Sequence, residues 1–106
     1  MLDENWRGTF QVIDAFGIKK RKEFYIIGSL TDGKIKEDWY VKIPVVDEFI
    51  IVTAKIRAVE TIEMPVEKMQ YSLAILTGSD KMIDFLLSLP WEEETFQIVK
   101  EGDDSF

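Results

Sequence analysis

Phe24–Pro44, FYIIGSLTDGKIKEDWYVKIP, decides the fold. Phe24, Ile26, Gly28 and Leu30 fall on one face of an extended run, and Tyr25, Ile27 and Ser29 on the other. Trp39, Val41 and Ile43 repeat the alternation against Tyr40 and Lys42. This period of two is the signature of strands. Between the runs, Thr31-Asp32-Gly33 has turn chemistry: Asp bonds its own backbone, and Gly accepts a positive φ. The stretch predicts two antiparallel strands joined as a hairpin, with Pro44 ending the second because it removes a ladder donor. Large side chains on both faces place such a pair in a barrel or sandwich rather than an open sheet. Gly28 is expected to face a close neighbouring strand, so Gly28→Val should destabilise.

The flanks extend the pattern. RGTFQVIDAF predicts a first strand beginning near Trp6. Phe10 and Val12 share a face with Asp14 and Phe16, and the loosening at Asp14 suggests a bulge or bend near Gly17. After Pro44, Asp47-Glu48 suggests a turn. Ile50, Val52, Ala54, Ile56 and Ala58 then alternate with Ile51, Thr53, Lys55 and Arg57, as one long strand or two split by a bend. Ile50-Ile51-Val52 would invite aggregation on an open edge and is safer inside a closed sheet. Met64-Pro65 interrupts, Val66–Gln70 forms a helical turn or loop, and Met64 and Met69 suit core filling. Tyr71–Thr77 predicts a further strand. Ser79 or Asp80 caps a short helix carrying Met82, Ile83, Phe85, Leu86 and Leu89. Pro90 ends it, Trp91 anchors one end of the core, and Thr95–Lys100 is the last strand. Met1–Asn5 is expected to fray, and GDDSF to form an acidic tail.

The expected fold is therefore all-β: one domain over 1–106, a closed or nearly closed antiparallel β-barrel of about six strands with one short helix. A chain of 106 residues, 46% hydrophobic and 12% aromatic, suffices for one such core.

Composition narrows the chemistry. With no Cys, disulfides, thiolate nucleophiles and zinc–thiolate sites are excluded; with no His, so are the commonest general base and a Ser-His-Asp triad. Gly33-Lys34 lacks the rest of a phosphate-binding loop, no dinucleotide fingerprint is present, and GDDSF is too short for a calcium loop. A carboxylate enzyme would require a buried acid of raised pKa. Asp14 and Asp38 lie deepest in apolar sequence, but both read more simply as strand-end or turn residues bonding backbone N–H groups. The expectation is a non-enzyme without cofactor or metal. No apolar run approaches the ~18–20 residues of a membrane helix, and MLDENWRG lacks the features of a secretion signal. A cytoplasmic protein is the resulting expectation.

Charge supplies the candidate sites. Twenty acids against 13 bases give −7, which favours basic partners or simply solubility. Against that background, Lys19, Lys20, Arg21 and Lys22 are consecutive, at the expected tip between the first strand and the Phe24 strand. They read as a local contact for phosphate or an acidic protein surface, or as a solvated turn. Tyr25, Trp39, Tyr40 and Tyr71 would complete a stacking surface for single-stranded nucleic acid, although Trp39 reads better as core. Glu92-Glu93-Glu94 with the acidic tail reads as a contact for a basic partner or as a solubilising terminus.

From Phe10 to about Phe85 the chain resembles the second domain of the translational GTPases, the elongation-factor-type β-barrel. That family opens with F-x-V-x-D-x-F-x-I and a loop rich in Gly and Arg; here stand Phe10, Val12, Asp14, Phe16, Ile18 and the basic Lys19–Lys22 run. Its strand with an internal glycine and its next turn are matched by Gly28, Gly33, Ile35, Asp38 and Ile43. IRAVETIEMPVEKM and YSLAILTGSDKMIDF are similar to its later strand-and-loop segments. The pattern departs at Glu37, at Lys22-Glu23 and around Gln70-Tyr71-Ser72, where the family has glycines or A-G-D. In the family this barrel is a binding platform for the ribosome, the aminoacyl end of tRNA or the GTPase domain. With no GTP-binding domain attached, the resemblance implies a stand-alone barrel that binds a protein or ribonucleoprotein partner, with any RNA contact confined to the basic loop. The other expectation is an acidic protein that masks or inhibits a basic partner through Glu92–Glu94 and the acidic tail.

Overall fold

A computed structural model describes residues 4–45, 50–64 and 69–102, without the side chains of Met64 and Met69. The strands are β1 (Trp6–Ile18), β2 (Glu23–Gly33), β3 (Tyr40–Val45), β4 (Ile50–Met64), β5 (Met69–Thr77) and β6 (Thr95–Val99), with helix α1 (Asp80–Leu87) between β5 and β6. All pairings are antiparallel, and the ring closes in the order β1-β2-β5-β4-β3-β6. The expected all-β ring with one short helix is therefore present.

The expected hairpin across Thr31-Asp32-Gly33 is not. Both edges of β2 are already occupied, by β1 and by β5, so β3 pairs instead with β4 and β6. Gly33 does take a positive φ of 73°, where its Cα packs onto the Arg7 carbonyl with no room for a side chain. Its turn leads not into a partner strand but into Lys34–Trp39, which crosses the end of the ring. The Lys34 N–H donates to Arg7 O on β1 (2.8 Å), and the Asp38 N–H to Ile56 O on β4 (2.8 Å). Ile35 and Trp39 plug that end against the core. The β5-to-β6 connection crosses the opposite end, which Met82, Ile83 and Leu86 of α1 and then Trp91 close.

Between the plugs the barrel is filled. Phe10, Val12, Phe24, Ile26, Val41, Ile43, Ala54, Ile56, Leu76 and Ile98 are essentially inaccessible to solvent. Burying each large aliphatic or aromatic side chain contributes about 1.5–3 kcal/mol. Gly28 also faces inward, where an added Cβ would collide with the Gln11 carbonyl and the Phe10 ring.

Two of the register shifts in the ring redirect side chains between core and surface. The register of β1 against β2 slips between Val12 and Asp14 rather than near Gly17. One extra residue in a strand reverses the facing of the residues after it. Ala15 therefore packs on the core, while Phe16 turns out to pair with Tyr25. A second slip, between Ile56 and Ala58, brings Val59 onto the core in place of Ala58. The seam between β3 and β6 has three paired positions, Tyr40–Lys42 against Gln97–Val99. Two residues beyond Lys42, Pro44 has no N–H to continue it, although β3 runs on to Val45 against β4. Ile50 and Ile51 stay half exposed but are paired with Val45 and Pro44.

At the chain ends, Asn5 is held rather than frayed: its side chain donates to Glu101 O (2.9 Å) and accepts from the Glu101 N–H (2.7 Å). Gly102 lies against Thr53 and Tyr40. Met1–Asp3, the Asp47-Glu48 turn, Pro65–Lys68 and the tail from Asp103 fall outside the described residues.

Candidate functional site

The end of the barrel closed by α1 carries the basic tip and two of the five large apolar side chains that stand exposed among the described residues, Phe16 and Leu87. Lys19–Arg21 forms a single 3-10 turn between β1 and β2, and Lys22 comes next in the left-handed region with φ 54°. The Lys22 N–H closes the turn on Lys19 O at 3.0 Å. All four basic side chains are exposed. The turn thus brings the four together, but they are not equivalent. Lys19 Nζ lies 2.9 Å from Asp84 of α1, and that hydrogen bond and charge raise the ammonium's pKa. Among the described residues Lys20 and Lys22 make no ion pair.

Beneath the tip lies a network that the alternation of polar and apolar residues gave no reason to expect. Glu23, the one buried charged residue among those described, accepts from the Tyr25 hydroxyl (2.6 Å) and pairs with Arg57 on β4. The Tyr25 hydrogen bond holds the Glu23 carboxyl below the ordinary carboxylate range, aided by the Arg57 and Arg21 charges and opposed by burial. General acid catalysis requires the opposite shift. Asp14 accepts from the Ala15 N–H (2.8 Å) at the β1 bulge, and Asp38 occupies a turn at φ 72°. The Asp14 carboxylate thus bonds a backbone N–H as expected, whereas the Asp38 carboxylate lies 3.9 Å from Lys55 Nζ. No group of three or more acidic side chains converges as metal ligands among the described residues.

The aromatics do not assemble beside the basic tip. Tyr25 is buried, with Phe16 stacked on it at 4.9 Å. Trp39 and Tyr40 enter β3, which shares no edge with β2. Trp39 is half-buried, with Arg7 and Lys36 over its ring at 5.9 and 5.7 Å.

What the sequence reading missed is an apolar groove of about 330 Å3 beside the last turn of α1. Ala15, Phe16, Phe24, Leu87, Leu89, Pro90, Trp91 and Glu92 line it. Phe16 and Leu87 remain 46% and 47% exposed. Ser79 starts α1 by accepting the Met82 N–H (3.2 Å), and that phase turns Met82, Ile83 and Leu86 inward and leaves Leu87 outside. Trp91 fixes the groove floor: its indole N–H donates to Leu86 O at 2.6 Å, and its ring packs on Phe24 and Phe96. The loosened alternation at Asp14 was the sequence signal for the bulge that exposes Phe16.

Comparison with protein-family models, curated proteins and solved structures finds no match to this chain. No helix among the described residues is long and apolar enough to cross a membrane.

Proposed function

We propose that this chain is a non-catalytic interaction module of the cytoplasm, a translation-factor-like barrel that binds a protein or ribonucleoprotein partner at the α1 end. The observation that carries the reading is the contrast between a barrel interior filled with side chains and an outer end that presents fixed, solvent-facing cations. A packed core leaves no chamber inside the barrel, whereas an exposed basic turn suits contact with an anionic surface. Lys20, Arg21 and Lys22 are the principal contacts on this reading. Lys19 contributes less because Asp84 already offsets its charge.

The test is capture of partners on the immobilised chain from source-cell lysate, with and without nuclease, using wild type and the triple variant Lys20→Ala, Arg21→Ala, Lys22→Ala. The reading expects capture by wild type that the variant loses. For an RNA-containing partner it expects nuclease sensitivity and a salt-dependence slope lower by about one per cation removed. Equal capture by the variant, at the same salt dependence, would overturn the tip assignment.

A second reading, an acidic protein that masks a basic partner, is favoured by the mounting of Glu92–Glu94. Glu93 is in the left-handed region at φ 62°. Its N–H donates to Val12 O, and Val12 N–H to Glu94 O, both at 2.9 Å, so the exposed carboxylates stand on fixed backbone. Capture of one nuclease-resistant basic protein, lost on Glu92–Glu94→Gln, would select it.

A further inference from the structure

We infer that the groove between β1 and α1 docks a short segment of a partner protein that places a large apolar side chain between Phe16 and Leu87, with lysine or arginine beside it. This rests on the reading of the chain as an interaction module and gives that module a contact surface lined by none of the four basic tip residues. Exposed large apolar residues scattered singly require no explanation, but neighbours lining one groove do. Phe16 and Leu87 are two of the five large apolar residues that stand exposed among those described, and both line this groove. Its volume of about 330 Å3 falls in the range of roughly 300–1,000 Å3 typical of sites that bury a ligand. Its floor is preformed by Phe24 and Trp91, so an entering side chain meets a surface that needs no rearrangement.

Charge selects the occupant. Glu92 belongs to the groove lining, and Glu93 and Glu94 continue from it on the backbone tied to Val12. No cation pairs with any of the three among the described residues. Lys19, the member of the basic tip that reaches α1, already has Asp84. An apolar anchor next to a base satisfies both the groove and its acidic rim, and it suits a chain of net charge −7. An acidic or purely apolar segment would satisfy only part of it.

The experiment is selection of a random twelve-residue peptide library on the immobilised full chain, then fluorescence-polarisation titration of the enriched peptides. Expected are peptides with an aromatic or branched aliphatic residue within a few positions of Lys or Arg. Their affinity should fall at least tenfold on Phe16→Ser or Leu87→Ser, recover on Leu87→Met, and fall several-fold at low salt on Glu92→Gln/Glu93→Gln/Glu94→Gln. Thermal melts establish that each variant is folded. No enrichment, enrichment of acidic peptides, or binding indifferent to Phe16→Ser and Leu87→Ser would overturn the inference, as would a dimer of the chain that Leu87→Ser dissociates. The Lys20→Ala/Arg21→Ala/Lys22→Ala variant should bind these peptides normally. Groove-insensitive peptides with tip-sensitive lysate capture would sink this inference and leave the proposed function standing. The converse would sink the tip assignment alone.

Discussion

The two ends of the barrel solve one problem in different ways. Each must carry the chain between strands that are not neighbours, β2 to β3 at one end and β5 to β6 at the other, and each must cover the core on the way. Lys34–Trp39 does so with six residues. Its apolar plug, Ile35 and Trp39, packs inward while Arg7 and Lys36 lie over the outer Trp39 ring. Long cationic side chains shield apolar surface from solvent while keeping their charge in it. Gly78–Glu94 uses a helix and a tryptophan. It seals the core more deeply, yet leaves Phe16 and Leu87 uncovered. One end is closed and masked; the other is closed and bare. That difference locates the candidate interaction surface at the α1 end.

The two plugs should also differ in what they contribute to stability. Trp91 is buried, contacts Phe24 and Phe96, and donates to Leu86 O, so Trp91→Ala should cost about 3–5 kcal/mol, read as a lowered denaturant midpoint at unchanged slope. Trp39 is half-buried and replaceable by the stems of its covering cations, so Trp39→Ala should cost about 1–2 kcal/mol. Equal costs would mean that the two plugs are equivalent and would break the contrast.

The Glu23 network sharpens the contrast through pH. The folded-state pKa of Glu23 is depressed, so its contribution is present above the ordinary carboxylate value of 4.5 and is lost as pH falls through the lower folded value. Glu23→Gln should therefore flatten the fall in melting temperature below about pH 4.5. Identical pH profiles for variant and wild type would remove Glu23 from the ties that hold the α1 end.

The smallest effect is expected where function is proposed. Phe16→Ser and Leu87→Ser should each change stability by no more than about 1 kcal/mol, because both side chains are already half in water. A larger loss in equilibrium unfolding would make them core residues, and the groove a seam of the fold.

These contrasts also explain what was legible in the sequence. The grouping of residues by face in β2, β3 and β6 follows from alternation, and the Ser79 cap from local residue chemistry, because each is decided by neighbours a few positions apart. The false hairpin at Gly33 arose because a positive-φ turn reads the same whether it leads to a partner strand or to a crossing. Only the occupation of both edges of β2, by strands remote in sequence, separates the two. The β1 and β4 bulges turn Phe16 and Ala58 off the inner face, and one extra residue leaves a faint local mark. The basic tip was visible as four consecutive charges, but its inequality was not, since Asp84 reaches Lys19 through tertiary packing. The groove was hidden for the same reason: it joins residues some 70 positions apart, Phe16 and Leu87.

The most direct test of the masked-and-bare contrast is a 1H–15N shift map of the full chain titrated with the peptide that library selection enriches most. The account predicts that shifts concentrate at Ala15–Phe16 and Leu87–Glu94, including the Trp91 indole N–H, and that Lys34–Tyr40 stays unmoved. Shifts centred on Lys34–Tyr40, with the Trp91 indole silent, would place binding at the masked end and contradict it.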